Sequence, residues 1–360
     1  MKFKPDDYLV YDEATGKYHE NPEQAVRDDV EKHTWLNVAR TVAKDWRLYL
    51  MLVPMILVFL FWRYFPMYEL LGAFKVKDDN LEVSQQLYAG FSYFKTLFAG
   101  TNEIAVYFWR AFRNTFLLSF YGLLFGFPMP IIIALFFNEI RSNIARSVYQ
   151  VMTYLPKFMS TVVMTTLITM ILRQPITSGN TVLVDMGIVS KMLVNLGLIT
   201  QEAGKAGLLN DPGFFRAIYQ ISGIWETAGY DSIVFFAAII AISPTSYEAA
   251  QIDGAGKMAQ MRYVVLPSIL STIVIMLITR IGSLLNIGYE KVLLLYNPNT
   301  YVTAEVVSTF AHRYGIDATN ANAFNTGIST AAEMLNNVVG MLLVIGANTI
   351  ARKASDVSLY

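Results

Sequence analysis

The chain has 360 residues, of which 54% are hydrophobic, 14% aromatic and only 16% charged, and its formal net charge is zero. Ordinary soluble domains carry about 25% charge, so long uncharged stretches point to membrane spans, and the neutral balance gives a nucleic-acid partner no electrostatic support. No cysteine is present, which excludes disulfides, thiolate catalysis and Cys-ligated zinc, and the three histidines, His19, His33 and His312, fall at no metal-ligand spacing.

The N-terminal stretch MKFKPDDYLVYDEATGKYHE is polar, partly acidic and without the apolar core of a secretory signal. The first apolar run is therefore expected to stay in the membrane as an anchor. Residues 1–46 read as a cytoplasmic extension. Within it, Val26, Val30, Trp35, Val38 and Val42 recur at loosely helical spacing across 22–46. An interfacial or partner-binding helix and a surface helix capping the bundle both fit that pattern.

Six apolar runs follow, at 48–65, 115–137, 148–172, 216–242, 268–289 and 333–351. At about 1.5 Å rise per residue, each can cross a ~30 Å hydrocarbon core with some tilt. Lipid offers the backbone no hydrogen-bond partners, so these runs are expected as helices, and the alternation of a β-barrel is absent. The expected fold is all-α: a polytopic membrane domain of six transmembrane helices over 47–352, then a cytoplasmic tail, 353–360. Pro54, Gly122, Gly126, Pro128, Pro130, Pro156, Gly223 and Gly229 lie inside the runs and mark candidate kinks.

The connecting segments alternate in length. Those at 66–114, 173–215 and 290–332 are long, and those at 138–147 and 243–267 are short, so the two classes belong on opposite sides of the membrane. Both termini fall on the short-loop side, which also holds Lys44, Arg47, Arg141, Arg146, Lys257, Arg262, Arg352 and Lys353. The positive-inside rule makes that side cytoplasmic. In the loop 173–215, MGIVSKMLVNLGLI has helical periodicity and suits either a docking element or a lid on the bundle.

The short loop 243–267 contains EAAQIDGAGKMAQMRYVVLP. Ser243 can cap a helix and Pro244 fits its first turn. A short helix is then expected through Asp253, interrupted by Gly254 and Gly256. Ala250 and Gly254 are four residues apart, which leaves one helical face nearly bare. Such a face admits close approach by another protein or close packing on the chain's own bundle.

The order of residues Glu248, Ala249, Ala250, Asp253, Gly254 and Ala255, closing on Leu266-Pro267, resembles the EAA loop of ABC-importer permeases. Only Arg262-Tyr263, where that motif often carries Phe, departs from it. Four other stretches, LYLMLVPMILVFLFWRYFPMYELLGAFK (48–75), YLPKFMSTVV (154–163), NIGYEKVLLLYNPNTY (286–301) and AEVVSTFAHRYGI (304–316), are similar to the permeases for complex sugars and oligosaccharides often called the LplB type. The resemblance covers most of 48–350. Lys157 departs from it, since histidine is more usual there.

The resemblance implies a type I ABC importer (MetI-like) permease fold in the bacterial cell membrane. It implies that Glu248, Ala249, Ala250, Asp253, Gly254 and Ala255 form a coupling helix gripped by a cytoplasmic ATPase. Its implied partners are two copies of that ATPase, a second homologous permease and an extracytoplasmic solute-binding protein that delivers a sugar to the long-loop side. Closure of the ATPases would swing the permeases between inward- and outward-facing states. A P-loop needs glycine five residues before Gly256 and Ser or Thr after Lys257, where this chain has Gln251 and Met258. The chain is thus expected to bind no cofactor itself, with ATP and magnesium held by the partner.

Ionisable groups deep in spans are functional candidates, and sugars are bound by hydrogen-bonding groups with aromatic faces beside them. These criteria select Tyr154, Lys157, Trp225, Glu226, Arg280, Asn286, Tyr289 and Glu290 as substrate-binding candidates. Arg280 with Glu226, or Lys157 with Glu226, could instead pair only to hold the bundle. Two other functions compete with this reading. An ion-coupled secondary transporter usually shows inverted repeats, and no repeat relates the two halves. A membrane enzyme needs converging nucleophile, base or metal ligands, and Glu226 with Asp231 is too thin a basis.

Overall fold

In the computed structural model the described residues are 9–12, 17–20, 44, 46–75, 87–100, 102–178, 181–316 and 325–354. The expected helix over 22–46 lies outside them, apart from Lys44 and Trp46. The chain forms two compact units, residues 1–69 and 70–360.

The first unit holds an antiparallel hairpin, β1 (Leu9–Asp12) and β2 (Lys17–Glu20), in which Leu9 faces Glu20 and Asp12 faces Lys17. It also holds most of α1 (Trp46–Phe74), which passes from α-helix into a π turn at Leu60–Tyr64 and a 3-10 stretch from Phe65. Apolar residues cover every side of α1, the pattern of a helix meant for an apolar medium.

The second unit is built on α2 (Ser92–Phe98), α3 (Glu103–Glu139), α4 (Asn143–Phe158), α5 (Thr161–Leu172) and the hairpin β3 (Ile176–Ser178) with β4 (Thr181–Val184). It continues through α6 (Ile188–Asn195), α7 (Gln201–Ala206), α8 (Pro212–Ile240), α9 (Pro244–Ile252), α10 (Lys257–Ser268) and α11 (Leu270–Gly282). Three helices close it: α12 (Tyr289–Leu295), α13 (Val307–Gly315) and α14 (Thr326–Ala354). Among the described residues four helices are long and apolar enough to cross a membrane, and six spans result if each bent pair counts as one. The helical periodicity read within 173–215 is realised as α6, whereas hairpins β1–β2 and β3–β4 were not expected from the all-α pattern.

Two expected spans are not continuous helices. The run 148–172 is broken between α4 and α5 by a 100° bend. Pro156 removes a backbone donor there, and the Ser160 side chain starts a new helix by accepting from the Val163 amide at 3.3 Å. The run 268–289 bends by 63° at Ile269 and then unwinds after Gly282. Its helix also begins earlier than expected, inside the loop 243–267, at Lys257. By contrast α3 runs through with a π turn at Gly122–Gly126 ahead of Pro128.

The helix α8 runs for 29 residues, about 43 Å at the helical rise. Asp211 caps it by accepting from the Gly213 amide at 2.7 Å, and Pro212 fills its first turn. Near its Ile240 end it packs on α3 through Ala134, Phe137, Phe235, Phe236 and Ile239. The other end of the bundle is closed by Phe108, Ala111, Val307, Phe310, Ile328 and Ala331. Gly229 lies against α4: a Cβ there would collide with the Thr153 carbonyl. Gly229→Ala should therefore lower stability by about 1–3 kcal/mol through overpacking. Gly340→Ala, which meets nothing within 4 Å, should be neutral or stabilising. Thermal unfolding of the two variants in detergent checks the contrast.

Candidate functional site

The unwound stretch 283–288 lies between α11 and α12. Inside a membrane such backbone persists only where protein or a water-lined cavity satisfies it. Three side chains from separate elements do so here. Ser119 of α3 donates to the Leu284 carbonyl, Asn336 of α14 to Leu285 at 3.1 Å, and Ser308 of α13 to Ile287 at 2.8 Å. The stretch then forms one wall of a cavity of about 500 Å³. The remaining walls are the π turn of α3, one face of α8 from Tyr219 to Thr227, the bend before α5, and Arg280 at the end of α11. Gly122 and Gly126 within the π turn keep that wall bare, and Gln220 is fixed there by donating to the Leu118 carbonyl at 2.6 Å. Glu226 lies 14 residues into α8, about 21 Å along it, which places the cavity at mid-span.

Of the eight substrate-binding candidates, Lys157, Glu226, Arg280 and Asn286 are brought together on the lining. The other four lie elsewhere. Tyr154 packs edge-on against Phe137 at 6.2 Å, within the α3–α8 core. Trp225 is 51% exposed, on a different side of α8 from Glu226. Tyr289 stacks on His312 at 5.2 Å, and Glu290 is exposed. The ion pair also differs from both expected forms: Glu226 Oε2 accepts from Lys291 Nζ at 2.8 Å, not from Arg280 or Lys157. Lys291 further sits 5.5 Å from the centre of the Tyr219 ring. Lys291, Tyr219 and Gln220 join Lys157, Glu226, Arg280 and Asn286 on the lining, and no sequence criterion selects these three. Residues 290 and 291 are both charged at a span end, and only the rotation of α12 selects the second.

With Lys291 occupied by Glu226, Lys157 and Arg280 are the cations on the lining that form no ion pair among the described residues. Arg280 also borders a smaller cavity of about 210 Å³ beside Asp231. The site combines cationic donors, amide groups and a tyrosine edge around a volume fit for a small polar ligand. Among the described residues no group of three or more His, Asp or Glu could hold a metal ion.

The loop 243–267 lies beyond the Ile240 end of α8. Ser243 makes no capping bond, its hydroxyl lying 2.7 Å from that of Thr245, so Pro244 alone pre-sets the first turn of α9. The helix ends in a Schellman motif: the Ala255 amide donates to Ala250 at 2.8 Å and the Gly254 amide to Gln251 at 3.0 Å. Gly254 has φ of +79°, a left-handed value natural to glycine. No side chain of α9 is buried, and a Cβ at Gly254 or Gly256 would meet nothing within 4 Å. Glu248, Ala249, Asp253 and Gly254 are exposed, and Ala250 and Ala255 half-buried. Ile252 at 86% exposure and Met258 at 75% add apolar surface. Lys257 ties the loop to Glu139 of α3 at 3.3 Å, and Gln260 donates to the Ala255 carbonyl at 2.8 Å.

Comparison with known proteins places these features in a family. A profile described as "Binding-protein-dependent transport system inner membrane component" matches residues 126–295. Protein LplB of Bacillus subtilis (strain 168) is 35% identical over 317 residues, 88% of this chain and 92% of that protein. The polygalacturonan/rhamnogalacturonan transport system permease protein YteP of the same organism is 33% identical over 313 residues, 87% and 90% of the two chains. A chain in the crystal structure of a bacterial ABC transporter involved in the import of the acidic polysaccharide alginate superposes with a TM-score of 0.74 at 39% identity, covering 88% of this chain and 98% of that one. The fold is thus the MetI-like fold of type I ABC importer permeases. With spans broken around a mid-bundle cavity and an exposed small-residue turn beyond α8, the chain belongs to the family of binding-protein-dependent transport system inner membrane components, as a permease subunit.

Proposed function

We propose that the chain translocates a sugar, an oligosaccharide or polysaccharide fragment, received from an extracytoplasmic solute-binding protein. The observation that carries this reading is the pairing of a polar mid-span cavity with a short helix, α9, that leaves Glu248, Ala249 and the Gly254 turn exposed. The sugar transport systems of the relatives support it. The substrate passes through the cavity between Lys157, Glu226, Arg280, Asn286 and Lys291. The α9 helix, through Glu248 to Ala255, seats in a groove of a cytoplasmic ATPase, present in two copies that hold ATP and magnesium. A second homologous permease completes the pore. The α9 side of the membrane, with both termini, faces the cytoplasm.

Purification of the complex from its native membrane in mild detergent, with mass spectrometry of the co-purifying chains, tests the assembly. An ATPase and a second permease carrying its own EAA loop are expected, and a chain recovered alone even after crosslinking would sink the reading. Gly254→Val forces a β-branched residue into a left-handed turn at about 1–2 kcal/mol. ATPase capture by the chain should then fall roughly five- to thirtyfold while membrane insertion persists. Lys291→Met leaves Glu226 unpaired in the cavity. Its loss should be partly restored by adding Glu226→Gln, with a coupling of about 0.5–3 kcal/mol in a double-mutant cycle on thermal stability. Lys157→Gln removes a charged donor and should raise the half-saturation for uptake about two- to tenfold in proteoliposomes.

A further inference from the structure

A second polar pocket, of about 340 Å³, lies at the opposite end of the bundle from α9. Its place follows from the turn Tyr301–Ala304, where the Thr303 hydroxyl donates to the Pro212 carbonyl at the start of α8 at 2.8 Å, whereas α9 follows the other end of that helix. Two guanidiniums form its charged wall. Arg110 of α3 and Arg313 of α13 share the single carboxylate of Glu305, at 3.1 and 2.6 Å. Glu305 is 1% exposed, while Arg110 and Arg313 keep 23% and 20% of their side-chain surface. The carboxylate thus lies beneath and the guanidiniums above it, so both guanidiniums face the pocket over one buried negative charge, with Glu103 acting on Tyr314 as the other carboxylate nearby. Burial pushes the Glu305 carboxyl above its ordinary range, and the two guanidiniums pull it back.

The guanidiniums are held in place before any ligand arrives. Arg110 lies 5.0 Å from the centre of the Tyr107 ring, and Arg313 lies within 5.8 Å of the rings of Tyr107, Tyr301 and Tyr314. Cation–π contacts of this kind fix the planar forks without consuming all of their N–H groups. A guanidinium fork matches a carboxylate in shape and charge. The volume is at the small end for a ligand site and suits a terminal sugar unit rather than a long chain. We infer that this pocket receives a carboxylate-bearing sugar unit, a uronate, on the delivery side before it enters the central cavity. The inference rests on the sugar-permease reading and adds an acidic substrate class to it.

The test uses the assembled transporter in lipid nanodiscs, without binding protein, and calorimetry with trigalacturonate and its carboxyl-reduced, neutral counterpart. Wild type should bind the acidic form about tenfold or more tightly than the neutral one. Arg313→Gln, which leaves Arg110 on Glu305, should lower that affinity about tenfold, to the level at which the neutral form binds. Val302→Trp fills the pocket from its half-exposed rim without touching either arginine and should abolish the acid preference even if the arginine variant assembles poorly. Equal binding of both sugars by wild type, or an acid preference that survives both variants and vanishes with Lys157→Gln, overturns the proposal. A matching loss of sugar-free binding-protein docking in both variants assigns the carboxylate to that protein and also overturns it. Uptake of the neutral sugar into proteoliposomes separates the two readings: a transporter that moves neither sugar refutes the sugar-permease reading, while calorimetry decides the pocket on its own.

Discussion

The arrangement of the second unit depends on one constraint, the need of unwound backbone at mid-span for hydrogen-bond partners. A helix satisfies its own carbonyls, but the stretch 283–288 does not, and lipid supplies no donor. Ser119, Asn336 and Ser308 supply them from α3, α14 and α13. Each of these bonds ties a different helix to the same short segment. The cavity exists because the chain leaves helical geometry at 283–288 and is held there from three directions. Arg280 at the last turn of α11, Asn286 within the stretch and Lys291 in the first turns of α12 face the cavity as a consequence.

The same logic recurs at the bend before α5. Pro156 ends one helix and Ser160 caps the next, leaving Lys157 on a corner instead of a helical face. A cation on a corner can turn into the cavity without its stem crossing a helix surface. Across the cavity, α8 contributes Gly223 and Glu226, and the π turn of α3 contributes Gly122 and Gly126. Bare backbone on two sides and cations on the others give a polar chamber in an otherwise apolar bundle.

Mechanically, α8 joins the ends. Its first turn anchors the segment bearing Tyr301 and Thr303, its middle carries Glu226, and its last turn leads into α9. This one 29-residue helix connects α9 to the cavity wall, and packed helices shift as units and do not deform continuously. The close approach of Gly229 to Thr153 packs α4 tightly on the same helix. The segment 302–307 is held on α3 by Asn114, which donates to Val302 and Glu305 carbonyls at 3.0 Å, and by Thr115, which accepts from the Val307 amide at 2.9 Å. The two ends of the bundle are thus joined through buried polar contacts.

The sequence by itself determined the membrane class, the number of spans and the small-residue turn after α9. Apolar run length is a one-dimensional property, and the spacing Glu248-Ala249-Ala250 to Asp253-Gly254-Ala255 is read locally, with Gly254 marking the left-handed residue. Charge inside an apolar run likewise singled out Lys157, Glu226 and Arg280. Only the tertiary structure decided which of them meet. Lys291 and Glu226 are separated by 65 residues and Arg110 and Glu305 by 195, distances over which hydropathy carries no signal. Trp225 and Glu226 are neighbours in sequence yet point to different sides, because a helix turns about 100° per residue. The unwinding at 283–288 was only half legible: Ser283, Asn286 and Gly288 weaken a helix there, but the donors that satisfy the Leu284, Leu285 and Ile287 carbonyls come from three distant segments.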